Sequence, residues 1–251
     1  MTDAELAARL RANLVAWKQF QTERGTLRAL TQPGAWAFAI PDQPDRVHPQ
    51  QVLYTDSGAL RAALPAIEDF YRGLGVRFWR VLVPPGDSAT EQLLDGAGYV
   101  PRDRQPAMGF HLAGARLEAP RLKLEPLETM RELVLLNEEV AGPGVRIPIQ
   151  PWHAAPQATL HVLGVRENGR LLSGGMAFDA GDTVGIYLMA TALSVRGRGL
   201  ASDVMRGMLL EAQARGRTAA VLQTTPLGHR VYQRIGFRDL ETWTSWAHLA
   251  G

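Results

Sequence analysis

Three apolar segments limit the fold most strongly. "LHVLGVRE" (160–167), "RLLSGGMAFDA" (170–180) and "TVGIYLMATALS" (183–194) are separated only by Asn168-Gly169 and Gly181-Asp182. Two-residue connections of this chemistry join antiparallel strands, because residues that tolerate positive φ match the twist of a paired ribbon. The chain then changes geometry. A loop rich in glycine and arginine, "VRGRGLAS" (195–202), leads into a helix over 199–215 and a strand "AAVLQTT" (219–225). A helix between two strands brings the second back parallel to the first. Hairpins plus one crossover helix predict a mixed α+β sheet rather than a doubly wound one.

The remainder has a similar rhythm. Residues 3–23 read as a helix, with Leu6, Leu10, Leu14 and Trp17 forming one stripe. Strand-like "AWAFAI" (35–40) and "QQVLY" (50–54) flank a Pro/Asp-rich loop, and a helix over 58–75 contains Pro65, an expected irregularity. Next come a strand at 78–83, a helix over 89–98 and a strand at 107–112. Residues 113–121 read as a linker, 128–141 as a helix and 142–157 as a Pro/Gly-rich loop. A helix over 228–235 and a strand within 240–249 close the chain. "LLDGAGYV" (93–100) echoes "VYQRIGFR" (231–238) in placing glycine before an aromatic at a helix end. The sheet pattern is therefore expected twice, with domains at 1–115 and 116–251.

Composition removes several classes of chemistry. The 251 residues contain no cysteine, which excludes disulfides, thiolate metal sites and a thiol nucleophile. The formal charge is only +2 and no run of like charge occurs, so nucleic acid is not an expected partner. No pair among His48, His111, His153, His161, His229 and His248 has metal-ligand spacing, and no metal is expected. The chain opens on a polar segment and has no apolar run of membrane-spanning length, which predicts a cytoplasmic protein without membrane attachment.

The Arg/Gly loop carries the clearest chemistry. Gly197 and Gly199 let backbone amides approach a ligand without a Cβ in the way. The helix start adds free N–H groups and partial positive charge, and Arg196 and Arg198 add full charge. That combination suits a diphosphate. A Walker loop would need Gly-Lys-Ser/Thr, which is absent. A dinucleotide fingerprint would want an acid closing the next strand, whereas "AAVLQTT" ends in glutamine and threonines. An arginine-decorated turn without a ligand is the bland alternative.

"RGRGLA" (196–201) resembles the R/Q-x-x-G-x-G/A loop of the GNAT superfamily of acyl-CoA-dependent N-acyltransferases, and "HRVYQRIGF" (229–237) resembles that family's helix–Gly–Phe ending. The resemblance covers about 121–249. It implies that Met189, Ala190 and Thr191 lie where a strand pairs with the pantetheine arm, and that Arg196, Gly197, Arg198, Gly199, Leu200, Ala201 and Ser202 bind the diphosphate through main-chain N–H groups. It also implies Tyr232 as the general acid. Leu193 stands where proline is common and Thr225 where asparagine is common. The implied reaction moves an acetyl group from acetyl-CoA to a primary amine by direct attack, the acceptor being a small molecule or a protein N-terminus. The protein is expected as a monomer or homodimer. A non-catalytic acyl-CoA-binding sensor is the alternative.

The general base is less visible; His153 and Glu138 are weak candidates beside the Pro/Gly-rich loop. The first half resembles a degenerate unit of a tandem GNAT protein. Aligning Gly98-Tyr99 with Gly236-Phe237 puts Leu94 opposite Tyr232, and "YTDSGAL" (54–60) offers Asp56 instead of an arginine pair.

Overall fold

The computed structural model describes residues 1–46, 49–142, 147 and 149–249. The elements begin with α1 (Asp3–Glu23), β1 (Arg28–Gln32), β2 (Ala35–Ala39), β3 (Gln51–Tyr54), α2 (Ser57–Gly73) and β4 (Phe78–Val83). They continue with α3 (Ser88–Gly96), β5 (Val100–His111), β6 (Glu125–Pro126), α4 (Arg131–Ala141), β7 (Leu160–Glu167) and β8 (Arg170–Ala180). The last are β9 (Thr183–Thr191), α5 (Leu200–Ala214), β10 (Ala219–Gln223), α6 (Pro226–Ile235) and β11 (Arg238–Leu249). The mixed α+β expectation holds.

Two compact units form, and they interleave where the sequence predicts a division at 115/116. One combines Leu14–Pro106 with the strand residues from Glu241 on; the other combines Met1–Asn13 with Ala107–Leu240. Both exchanges have a local cause. From Thr244↔Val83 to Leu249↔Phe78, β11 pairs antiparallel with β4, so the last strand completes the sheet of the first unit. At the other terminus, Leu6 and Leu10 are buried, and Arg9 bonds the side chains of Asp182 and Thr183 in the β8–β9 turn region.

In the first unit the strand order is β1-β2-β3-β4-β11. The β1–β2 and β2–β3 pairs are antiparallel, while β3 and β4, joined through α2, are parallel. Leu60, Ile67 and Tyr71 of α2 pack into a core with Val52, Trp79, Val81 and Trp246. Pro65 does not interrupt α2. The sequence reading missed β1, because "RALTQ" is a mostly exposed edge strand without apolar alternation. It also truncated β5, whose first half carries Pro101 and Pro106 among polar residues.

The second unit orders its strands β5-β10-β9-β8-β7-β6. Three long antiparallel strands, β7 to β9, turn at Asn168-Gly169 and Gly181-Asp182 as expected, with Asn168 at φ 52°, Gly169 at 78° and Gly181 at 59°. The crossover through α5 makes β10 parallel to β9. A short 3-10 turn, Pro151–Ala154, stands inside the Pro/Gly-rich segment, of which residues 143–146 and 148 lie outside the described residues, as does His48.

Candidate active site

The registers of β9 open a cleft. Its parallel ladder with β10 runs from Thr183↔Ala219 to Gly185↔Val221 and stops there, although β9 continues to Thr191. Beyond that point Leu222 and Gln223 of β10 pair with Met108 and Ala107 of β5 on the other side. On its β8 side, β9 is bulged: Tyr187 pairs with Met176 and Ala190 with Gly174, so Leu188 and Met189 share Gly175. Leu188 adopts φ 53°, the left-handed conformation that a bulge of this kind normally gives to glycine. For a leucine this costs about 1–2 kcal/mol. A Cβ on Gly175 opposite would lie 2.1 Å from Met189 Sδ, so a larger residue there would displace the Met189 side chain.

Of the three sequence-predicted strand residues, the backbones of two neighbours face opposite ways. The Ala192 N–H donates to Leu172 O, so ladder alternation turns the backbone of Ala190 toward β8 and that of Thr191 away from it. The Ser173 hydroxyl donates to Ala190 O at 3.1 Å and contacts Thr191 Oγ1 at 2.8 Å. Thr191 O accepts a bond from Arg196 Nε at 3.4 Å, which ties the strand end to the following loop.

That loop folds as its composition suggests. A 3-10 turn, Leu193–Val195, leads to Gly197 at φ 81° and to Gly199 at φ 84°, ψ 3°, the N-cap of α5. A Cβ at either glycine would meet nothing within 4 Å, so conformation, not crowding, demands glycine there. Gly199 makes no side-chain cap, and the first helical bond is Asp203 N–H to Gly199 O. The N–H groups of Leu200, Ala201 and Ser202 thus lie in the uncapped first turn, where the helix dipole favours an anion. Arg196 and Arg198 are exposed beside it. Glu167 lies 3.6 Å from Arg198, whereas the buried Asp203 is taken up by Arg206 and the Leu122 N–H.

Tyr232 stands on α6, directly after β10. Thr225 caps that helix through Gly228 N–H. Gly228 gives the phenol ring its space, since a Cβ there would lie 3.0 Å from Tyr232 Cε2. Tyr232 is buried, and burial pushes its hydroxyl up to about 12. Among the described residues that hydroxyl has no hydrogen-bond partner, so its proton is uncommitted.

The two weak base candidates are engaged otherwise. His153 is buried; its Nδ1 accepts the Gln150 N–H at 3.0 Å, and burial lowers it to about 4. The neutral ring therefore holds its proton on Nε2 and presents no free lone pair. Glu138 accepts the Ile147 N–H at 3.1 Å. Sequence reasoning missed Asn137, whose Nδ2 donates to Leu133 O and Leu188 O at 2.9 Å each. An asparagine late in a helix gives no signal without its partner. No group of three or more His, Asp or Glu that could hold a metal occurs among the described residues.

The matching features of the first unit are closed. Tyr99 N–H donates to Leu94 O at 2.9 Å as Phe237 N–H does to Tyr232 O at 3.0 Å, so Leu94 and Tyr232 hold equivalent places. The N-terminus of α2 is filled by its own carboxylate: Asp56 accepts the Ala59 N–H at 2.9 Å, and that bond lowers its pKa. Beyond the short parallel pairing of β3 with β4, the Tyr54 hydroxyl donates to Asp87 at 2.7 Å.

Residues 127–237 match the model of the acetyltransferase (GNAT) family. Among solved structures, a GCN5-related N-acetyltransferase from Kribbella flavida superposes with a TM-score of 0.70 at 16% identity, covering 94% of this chain and 95% of its own. One from Sphaerobacter thermophilus gives 0.63 at 13% identity over 85% and 76%. A tandem GNAT protein from the clavulanic acid biosynthesis pathway gives 0.61 at 11% identity over 86% and 78%. At such identities the likeness is one of fold. No curated protein matches the sequence. No helix among the described residues is long and apolar enough to cross a membrane.

Proposed function

Since the chain carries a GNAT-family acetyltransferase domain at 127–237, we propose that it transfers an acetyl group from acetyl-CoA to a primary amine. The observation that carries this reading is the divergence of β9 from β10 after Gly185↔Val221, where β9 leads to the uncapped start of α5 and β10 leads to the helix of buried Tyr232, whose hydroxyl has no hydrogen-bond partner among the described residues. The cleft suits the donor: the Thr191 N–H, turned away from β8, suits a pantetheine carbonyl, and the first turn of α5 with Arg196 suits the diphosphate. When bound, acetyl-CoA supplies an activated acyl group. The Met189 amide, at the bulge, supports negative charge developing on the carbonyl oxygen. Tyr232, protonated at every physiological pH, hands its proton to the departing sulfur. No enzyme nucleophile is required, in keeping with a chain that lacks cysteine.

The first unit is a cofactor-free companion in this reading, because Asp56 occupies its helix start and Leu94 has no proton to give. One coenzyme A per chain is expected. A second reading, an acyl-CoA-binding module without turnover, is favoured by the engagement of both His153 and Glu138, which leaves deprotonation of the amine to solvent. Acetyl-CoA with a panel of amines, followed by thiol release and product mass, separates the two. Tight binding with no acylated product would establish the module; no binding would remove both.

A further inference from the structure

Asn137 holds Leu188, the residue of β9 in the strained left-handed conformation. Its Nδ2 donates to Leu188 O at 2.9 Å, and Leu188 sits at φ 53° in the β9 bulge. The second bond of the same amide, to Leu133 O one turn back on α4, fixes the side chain. Leu188 O and the Met189 N–H belong to one peptide plane, which is trans, as is every peptide among the described residues. In a trans peptide the two groups point in opposite directions. Anchoring the carbonyl on α4 therefore aims the Met189 N–H away from α4.

We infer that Asn137 is a positioning residue that orients the Met189 N–H toward the acyl carbonyl. The inference rests on the proposed acetyl-CoA site. It explains why a leucine is kept where a bulge usually takes glycine. A side chain at a left-handed position forbids the flipped peptide that glycine would allow, so Leu188 restricts the plane and Asn137 selects its orientation.

The test reads the carbonyl itself, without needing the natural acceptor. Acetyl-CoA labelled with ¹³C at the carbonyl is bound to the intact protein, and the infrared stretch of the bound thioester is compared with that in water. Wild type should shift it to lower frequency. Asn137→Leu should lose most of that shift while the calorimetric Kd for acetyl-CoA stays within about threefold, and turnover with the best amine should fall about 10- to 100-fold. Asn137→Asp is isosteric and guards against a failure to fold. Its carboxylate repels Leu188 O, whereas its protonated form donates to it, so the shift should be lost at pH 8 and regained on acidification. An unchanged shift in folded variants that bind acetyl-CoA overturns the role of Asn137 and leaves the cofactor reading intact. Failure of wild type to bind acetyl-CoA overturns both.

Discussion

Replacing His153 by glutamine separates a structural histidine from a catalytic one. The imidazole caps the 3-10 turn Pro151–Ala154 in a reciprocal pair with Gln150, its Nδ1 accepting the Gln150 N–H at 3.0 Å, while His153 O accepts the Met130 N–H at 2.9 Å. Burial to 6% exposure lowers it from an ordinary 6.5 to about 4. In that window the unfolded chain binds a proton that the folded protein refuses, so stability is complete above about pH 6.5 and falls as the pH drops toward 4. Linkage between those values takes away about 2 kcal/mol between pH 7 and pH 5, a Tm loss of about 4–8 °C for a chain of this size. His153→Gln keeps an acceptor for the Gln150 N–H and titrates nowhere. Scanning calorimetry at pH 7 and pH 5 should show a smaller acid-induced drop in the variant, by about that amount, with turnover at pH 7.5 retained. An equal drop in both proteins refutes the linkage, and a turnover loss beyond about 100-fold in a well-folded variant would make His153 a catalytic base after all.

Tyr232→Phe should lower turnover about 10²–10⁴-fold with little change in coenzyme A affinity; because burial places the hydroxyl at about 12, the wild-type rate should show no alkaline loss from this group below about pH 11. At Gly199, φ 84° makes alanine cost about 1–2 kcal/mol through strain alone. Aspartate adds a negative charge at the proposed diphosphate site, so calorimetry should rank Gly199→Ala well above Gly199→Asp in coenzyme A affinity. Asp56→Ala should destabilise the protein by about 1 kcal/mol through loss of the α2 cap without creating a second site, and titration should still give one coenzyme A per chain. Leu6→Ala should cost about 2–5 kcal/mol in chemical denaturation, since Leu6 is fully buried and packs against Gly109. A near-neutral result would detach α1 from the unit that holds the site.

Much of the fold was legible because the turns carried it. Asn168, Gly169 and Gly181 sit at positive φ in the two turns that fix the β7–β9 meander, so those strand boundaries agree to within a few residues. The helix ends at Gly98 and Gly236 were equally visible, each with an aromatic following. Elements whose identity is imposed by neighbours were hidden. β1 is polar and exposed and exists because β2 pairs with it, while the proline-bearing start of β5 has no pattern of its own. In the candidate site, the Arg/Gly loop and Tyr232 are singled out by residue type and spacing. The bulge did not, because its left-handed residue is a leucine rather than a glycine, and its support, Asn137, lies 51 residues away in sequence. The interleaving of the units was invisible for the same reason: which strand accepts β11 is decided by pairing with β4, which no local pattern records.

The two units differ in how the helix of the crossover begins. Each has an antiparallel strand pair followed by a strand–helix–strand crossover, β2–β3–α2–β4 and β8–β9–α5–β10. The orphan N–H groups of a helix start are met by a side chain, by water or by a ligand, and the helix dipole favours a negative one. α2 does so internally, through the Asp56 carboxylate, and β3 and its surroundings are closed further by the Tyr54–Asp87 bond. α5 begins instead on a left-handed glycine with no side chain to offer, so its first-turn amides are left for solvent or for an anion. The same difference appears at the following helix: Leu94 is fully buried and inert, whereas Tyr232 keeps a hydroxyl that no protein group among the described residues engages. Capping and proton supply thus diverge together in the same unit, the pattern on which the proposed acetyl-CoA site rests.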